Sequence, residues 1–252
     1  MRLEFLIVLT FFIAFAGVGV VSAEEVIASG HPDWSPVMLK AGDKIVGIGP
    51  DLVTKVMDDL GLETNCSYSG PWDRVQVMGI QGDIDVIVAA YKTEERQKYF
   101  AYSDSYFDDP IGLFAAKQFA YSGKESLLGH SIAVTKGDSY GSEIDEFLVT
   151  SLKEGKLTLS EYPDVDSALA SLEKESDAML YSAYAGRTAI NEAKFKNVKE
   201  VAIVGSQPFY ILISKKSKYV ELLPQVNNLI ALYKGNGELD KLIEEAESTG
   251  YL

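Results

Sequence analysis

Nucleophilic or metal-dependent catalysis has little to draw on in this sequence. Its 252 residues include two histidines, His31 and His130, and one cysteine, Cys66. No cluster of His, Cys and carboxylates has the spacing of a zinc site. No Gly-x-Ser-x-Gly turn presents a serine nucleophile, and no Gly-rich loop ending in Lys cradles a phosphate. A lone cysteine cannot form an internal disulfide, and the apolar-alternating surroundings of Cys66 suit a small buried side chain. Asp138, Glu143 and Glu175 are conceivable acids, but none stands in a recognisable acid–base constellation. Asp138 and Ser139 follow Gly137 at the start of a predicted helix. Main-chain N–H groups at such a start favour an anionic group, and either side chain could equally cap the helix itself. Neither a cofactor nor a metal is expected.

The elements that would position these residues fall into two runs of alternating strand and helix. In the first, 26–29 is a strand. Gly49-Pro50-Asp51 then opens a helix, with Pro suited to the first turn and Asp favoured by the helix dipole. Leu52, Val53, Val56, Met57 and Leu60 share one face of it, and Gly61 ends it. A strand over 63–68, a short helix over 72–80 and a strongly apolar strand over 84–90 follow. The second run places strands at 131–135, 157–162, 178–181 and 201–204 and helices at 142–152, 166–172 and 183–193. An acidic loop before an apolar strand occurs in both runs, as Gly82-Asp83-Ile84-Asp85-Val86-Ile87 and Glu175-Ser176-Asp177-Ala178-Met179-Leu180. Two such alternations imply an α/β protein of two lobes, each a mostly parallel sheet flanked by helices. Ligands in such sheets bind outside the carboxyl ends of the strands, here across one cleft. An extended run at 209–213 and two amphipathic helices, 220–233 and 237–248, complete the chain. The expected division is lobe 1 over 24–105 plus 214–252 and lobe 2 over 111–208. Connectors at 106–110 and 209–213 would form a two-strand hinge.

The N-terminus sets the compartment. Arg2 gives a basic start, Phe5 to Val21 is almost wholly apolar, and Val21-Ser22-Ala23 puts small residues before Glu24-Glu25. These are the three parts of a secretory signal peptide, expected to be cleaved after residue 23. An uncleaved anchor is the alternative, since the apolar run approaches a membrane span in length. The formal net charge of −14 argues against nucleic acid and anionic lipid as partners. A soluble, periplasmic monomer is the expectation.

Four segments, in order along the chain, resemble the family 3 extracellular solute-binding proteins, the group typified by polar amino-acid receptors of ABC importers. Gly49-Pro50-Asp51-Leu52-Val53 through Leu60-Gly61-Leu62 is similar to that family's G-x-D-x-D helix and its Gly-ended turn. Pro71-Trp72-Asp73-Arg74-Val75 precedes Gln81-Gly82-Asp83-Ile84-Asp85. Thr93-Glu94-Glu95-Arg96 and Tyr102-Ser103-Asp104-Ser105-Tyr106-Phe107 resemble T-x-E-R and F-S-x-P-Y. Lys136-Gly137-Asp138-Ser139-Tyr140-Gly141 stands at the K-x-G-T turn.

The resemblance implies a two-lobed periplasmic-binding fold of type II closing on a small polar solute, with a membrane permease or a sensor protein as partner. It places Arg96 where the family clamps a ligand carboxylate, a role its planar fork suits. A surface Arg paired with Glu94 or Asp104 is the alternative. Trp34 and Trp72 stand where ligand-packing aromatics are found, though either could be a core anchor, and His31 could line the cleft beside Trp34. Ala90, Tyr91, Asp138, Ser139 and Ser182 complete the implied ligand-binding set. Two departures stand out. Ser182 follows the buried strand of lobe 2 where the amino-acid receptors carry an ammonium-binding aspartate, and Tyr91-Lys92 replaces small hydroxyl-bearing residues. Some relatives resemble dehydratases of cyclic carboxylic acids, so an enzyme on the same fold is the competing reading.

Overall fold

The computed structural model describes residues 25–191 and 195–248. The expected signal peptide and the end of the expected helix over 183–193 lie outside the described residues. Strand β1 (Glu25–Ser29) leads into three short strands, β2 (Asp33–Trp34), β3 (Met38–Ala41) and β4 (Lys44–Val46), then helix α1 (Ile48–Asp59) and β5 (Glu63–Cys66). Helix α2 (Trp72–Gln81), β6 (Val86–Ala90), the one-turn α3 (Glu94–Gln97), β7 (Phe100–Tyr102) and β8 (Phe107–Ala115) follow. Next come β9 (Ser131–Thr135), α4 (Ser142–Lys153), β10 (Thr158–Tyr162), α5 (Val165–Ser171), β11 (Ala178–Ser182) and α6 (Ala183–Asn191). The 16-residue β12 (Lys199–Ser214), α7 (Leu223–Asn236) and α8 (Glu238–Ser248) close the chain.

Sequence periodicity accounts for most of this. In α1 the apolar positions Leu52, Val53, Val56 and Met57 are all solvent-free, the stripe expected of a helix buried along one face. The chain reverses after it at Gly61, whose φ of 78° is open to glycine without strain. Strands β6 and β11 are buried at every position, as continuous apolar runs require when both sheet faces are covered.

The main sheet runs in the order β10-β9-β11-β8-β12-β6-β1-β5, with β7 also on β12. Its two wings are parallel: β5, β1 and β6 on one side, β10, β9 and β11 on the other. The centre is antiparallel, because β8 and β12 run against each other and against their outer neighbours. The expected strand over 201–204 and extended run over 209–213 are one strand. From Lys199 to Phe209 it pairs with β8, and from Tyr210 to Ser214 with β6 and β7. Pro208 falls just before the β6 pairing begins, where one edge of β12 lacks a neighbouring strand and a missing amide donor is tolerated. The antiparallel β2-β3-β4 ribbon has no counterpart among the expected elements. Helices α7 and α8 pack on α1, where the Tyr233 hydroxyl donates to Asp59 at 2.5 Å and Lys55 meets Glu238 at 3.2 Å.

Beneath β8 the fully buried Phe114 ring lies against two glycines, Gly112 and Gly186. A Cβ at Gly186 would stand 2.3 Å from Phe114 Cζ, a distance no relaxed packing permits. Gly186→Ala is therefore expected to destabilise the fold by about 1–3 kcal/mol, read as a lowered midpoint in urea with an unchanged slope.

Candidate functional site

Arg96 reaches its place through a short helix that its neighbours define. The Thr93 hydroxyl caps α3 by accepting from the Arg96 amide at 3.1 Å. The side chain then turns inward and is 8% exposed. Every nitrogen of the guanidinium donates to a neutral acceptor: Nε to Gln76 Oε1 at 2.9 Å, one Nη to the Tyr91 carbonyl at 3.2 Å and the other to the Gly137 carbonyl at 3.2 Å. Its centre lies 5.2 Å from the Trp72 ring, in cation–π range. Among the described residues no carboxylate pairs with it. The expected alternative of a surface Arg on Glu94 or Asp104 is not what forms. Burial lowers the Arg96 pKa, and the more distant Tyr102, Asp138 and Asp145 oppose that shift.

Gly137, in the turn between β9 and α4, is where that turn meets α2 and α3. Its carbonyl also accepts from Trp72 Nε1 at 3.1 Å and from Gln76 Nε2 at 3.3 Å. With φ of 82°, and Gln76 Nε2 3.0 Å from where a Cβ would sit, the position needs glycine. Across the same seam Lys136 pairs with Asp73 at 2.6 Å, and the Tyr181 hydroxyl donates to the Asp33 carbonyl at 2.6 Å.

Asp109 has no counterpart in the sequence reading. It is solvent-free and receives three hydrogen bonds: from Trp34 Nε1 at 2.7 Å, the Tyr91 hydroxyl at 2.5 Å and the Ser182 hydroxyl at 2.9 Å. Burial pushes its carboxyl up to about 6, against the three donors, which pull it down. Burial also drives the Tyr91 hydroxyl well above its ordinary value, and the Asp109 charge adds to that. One signal in the sequence points to Asp109. Strand period puts it on the face of Ile111 and Leu113, both fully buried.

The seven expected residues Trp34, Trp72, Ala90, Tyr91, Arg96, Asp138 and Ser139 line one cavity with His31, Met38, Ala89 and Phe209. The cavity is small, about 20 Å3, room for about one water. Aromatic rings fill the rest: Trp34 stands edge-on to Tyr91 at 5.8 Å and to Phe209 at 6.3 Å, and Tyr91 lies 4.6 Å from Phe209. Ser182 stands behind this wall, its hydroxyl on Asp109. Asp138 accepts from the Thr135 hydroxyl through one oxygen. Its other oxygen lies 3.3 Å from His31 Nε2, within ion-pair range, and has no hydrogen-bond partner. Neither Asp138 nor Ser139 caps α4, whose cap residue is Gly141. Ser139 instead donates to Asp145, which also accepts from the Tyr140 amide at 2.8 Å. The other conceivable acids lie away from the cavity: Glu143 pairs with Lys124, and Glu175 accepts from the Tyr162 hydroxyl on the surface. Cys66 is part-buried, and its thiol is pushed up to about 12 by burial. No set of three or more His, Cys, Asp or Glu among the described residues could hold a metal ion.

A carboxyl whose folded value exceeds the unfolded one holds its proton more tightly in the native state. Asp109 therefore favours folding at low pH, and that contribution is lost as pH rises from about 3.8 to about 6. A rise of two pKa units corresponds to about 3 kcal/mol. Asp109→Asn is expected to remove that fall. Urea denaturation of both proteins across pH 4–7 should show their stability difference shifting in favour of the variant as pH rises, and parallel curves would refute the assignment.

A family model, bacterial extracellular solute-binding proteins of family 3, matches residues 26–246. Similar solved structures include a mutant of ArgBP from T. maritima, at 23% identity and TM-score 0.73, covering 89% of this chain and 95% of that one. A histidine kinase sensor domain with similarity to periplasmic binding proteins superposes at TM-score 0.75 and 19% identity, covering 88% and 96%. The amino-acid ABC transporter substrate-binding protein AbpA from Streptococcus pneumoniae, bound to L-arginine, does so at 0.70 and 25%, covering 88% and 94%. Among the described residues no helix is long and apolar enough to cross a membrane.

Proposed function

We propose that this chain, which belongs to the bacterial extracellular solute-binding proteins of family 3, is a non-catalytic receptor that closes on a small polar solute bearing a carboxylate. One observation carries the reading: Arg96 is a buried cation whose three donor nitrogens meet only neutral acceptors. A buried charge without a counter-charge is costly. An anion at the Gly137 end of the guanidinium would relieve that cost, and a carboxylate matches its fork. Trp34, Trp72, Tyr91 and Ala90 would cover the apolar part of the solute, with Asp138 and Ser139 at its polar edge, while Ser182 acts from behind the wall through Asp109.

Entry needs space that a cavity of about 20 Å3 does not offer, so the two sides of the seam must part. The hinge proposed for this motion is the pair of segments 106–110 and 209–213. The moving bodies are 24–105 with 214–252, and 111–208. The contacts at the seam that would then break include the three hydrogen bonds to the Gly137 carbonyl, Lys136 to Asp73, Tyr181 to Asp33, His31 beside Asp138 at 3.3 Å and the Trp34–Tyr181 ring pair at 4.7 Å. We place the protein in the periplasm, handing its solute to an ABC permease. The L-arginine complex of AbpA supports an amino-acid-like ligand.

Thermal unfolding against a panel of amino acids and other small carboxylates, each with its carboxamide analogue, tests this. At 100 times Kd a ligand adds about 2.7 kcal/mol, a rise in Tm of roughly 5–10 °C for a chain of this size. The expected result is such a rise with at least one carboxylate, none with its amide, and none in Arg96→Ala. A panel in which amides and acids act alike would refute the carboxylate reading.

A further inference from the structure

The two oxygens of the Asp109 carboxylate serve different bodies. The residue sits in connector 106–110, and its backbone pairs with Gln207 on β12. Its Oδ2 accepts from Trp34 Nε1 at 2.7 Å and from the Tyr91 hydroxyl at 2.5 Å, both in the body 24–105. Its Oδ1 accepts from the Ser182 hydroxyl at 2.9 Å, in the body 111–208. Ser182 is fixed to that second body, because its oxygen also accepts from the Ala185 amide at 3.3 Å in the first turn of α6. Asp109 and Ser182 are both solvent-free, and neither lines the aromatic cavity. A ring contact runs parallel to this link: Trp34 lies 4.7 Å from Tyr181, the neighbour of Ser182 in β11.

A residue in a connector cannot follow two bodies that turn apart. Parting the seam separates Trp34 and Tyr91 from Ser182, so one oxygen must lose what it accepts from. A buried carboxylate deprived of a donor loses a charge-assisted bond, which is worth more than a bond between neutral groups. Arg96 is no substitute partner, since its nitrogens face Gln76, Tyr91 and Gly137. All three donors to Asp109 are in place only while the bodies are together.

We propose that Asp109 is a closure latch, a positioning residue that holds the closed arrangement by accepting from both bodies at once. The assignment rests on the two-body reading above and adds what joins the bodies behind the solute wall. Control of opening lies with a side chain that does not meet the solute. Trp34 and Tyr91, which donate to the latch and line the cavity, carry its effect to the site.

The chain has two tryptophans, Trp34 and Trp72, so nitrogen-15-labelled protein gives two indole N–H signals, assigned with Trp72→Phe. Trp72 Nε1 donates across the seam to the Gly137 carbonyl, and its hydrogen exchange therefore reads opening of the seam. In the ligand-free wild type, Trp72 is expected to exchange faster than the most protected amides of β6 and β11, which exchange only on global unfolding. In Ser182→Ala the Trp72 exchange should quicken about tenfold or more, as loss of a hydrogen bond to a charged group implies. A role confined to the fold of one body would quicken the strand amides and leave Trp72 unchanged, and that result would overturn the latch. Should Ser182→Ala fail to fold, Asp109→Asn replaces it with the same expected result, because a carboxamide has one accepting oxygen and can accept from one body only. A wild-type Trp72 that exchanges no faster than the strand amides would remove the two-body reading itself, and the latch with it.

Discussion

Tyr91 joins two buried charges that do not touch. Its carbonyl accepts from the Arg96 guanidinium, and its hydroxyl donates to the Asp109 carboxylate. A direct Arg–Asp pair at the same depth would have satisfied both groups and left the interior electrostatically quiet. With one tyrosine between them, the acid is met by three neutral donors and the cation by three neutral acceptors. The acid's charge serves the architecture, and the cation at the seam meets no counter-charge.

That division orders the rest of the structure. Asp109 lies on central strand β8 and ties together the β2 ribbon through Trp34, the end of β6 through Tyr91 and the end of β11 through Ser182. Trp34 and Tyr91 are thereby held at fixed angles, and Phe209 from β12 completes the wall. In front of the wall, Arg96 meets the Gly137 turn, where a larger residue could not come as close. The antiparallel centre of the sheet is what allows this. Strand β12 pairs with β8 along most of its length and with β6 and β7 at its end, so one continuous backbone passes behind the site from wing to wing.

How much of this was legible depends on how local the cause is. The face of α1 follows from Leu52, Val53, Val56 and Met57, because a helix's buried stripe is set within a few turns. Arg96 and Gly137 were legible only through their motifs, since nothing local says that a guanidinium after Thr93-Glu94-Glu95 turns inward. The β2 ribbon is not legible, because strands of two to four residues, interrupted by Pro32 and Pro36, carry no periodic signal. The continuity of β12 was hidden by Gly205 and Pro208, which read as a break; partner strands β8 and β6, distant in sequence, span it. Asp109 was hidden for a similar reason. An acid in Asp108-Asp109-Pro110 reads as a turn until its alternation with Ile111 and Leu113 is counted, and its three donors come from segments 18 to 75 residues away. Ser182, where the resemblance implies an acid, donates instead to Asp109 on the adjacent strand.

The central claim is that Arg96 is held ready for an anion. Nitrogen-15 NMR of the guanidinium groups in labelled protein, recorded while unlabelled L-arginine and L-glutamine are titrated in, tests it most directly. The account predicts one slowly exchanging set of guanidinium signals, absent in Arg96→Lys, that moves as solute binds. A solute that shifts backbone signals around Trp34 and Tyr91 while those guanidinium signals stay in place would contradict it.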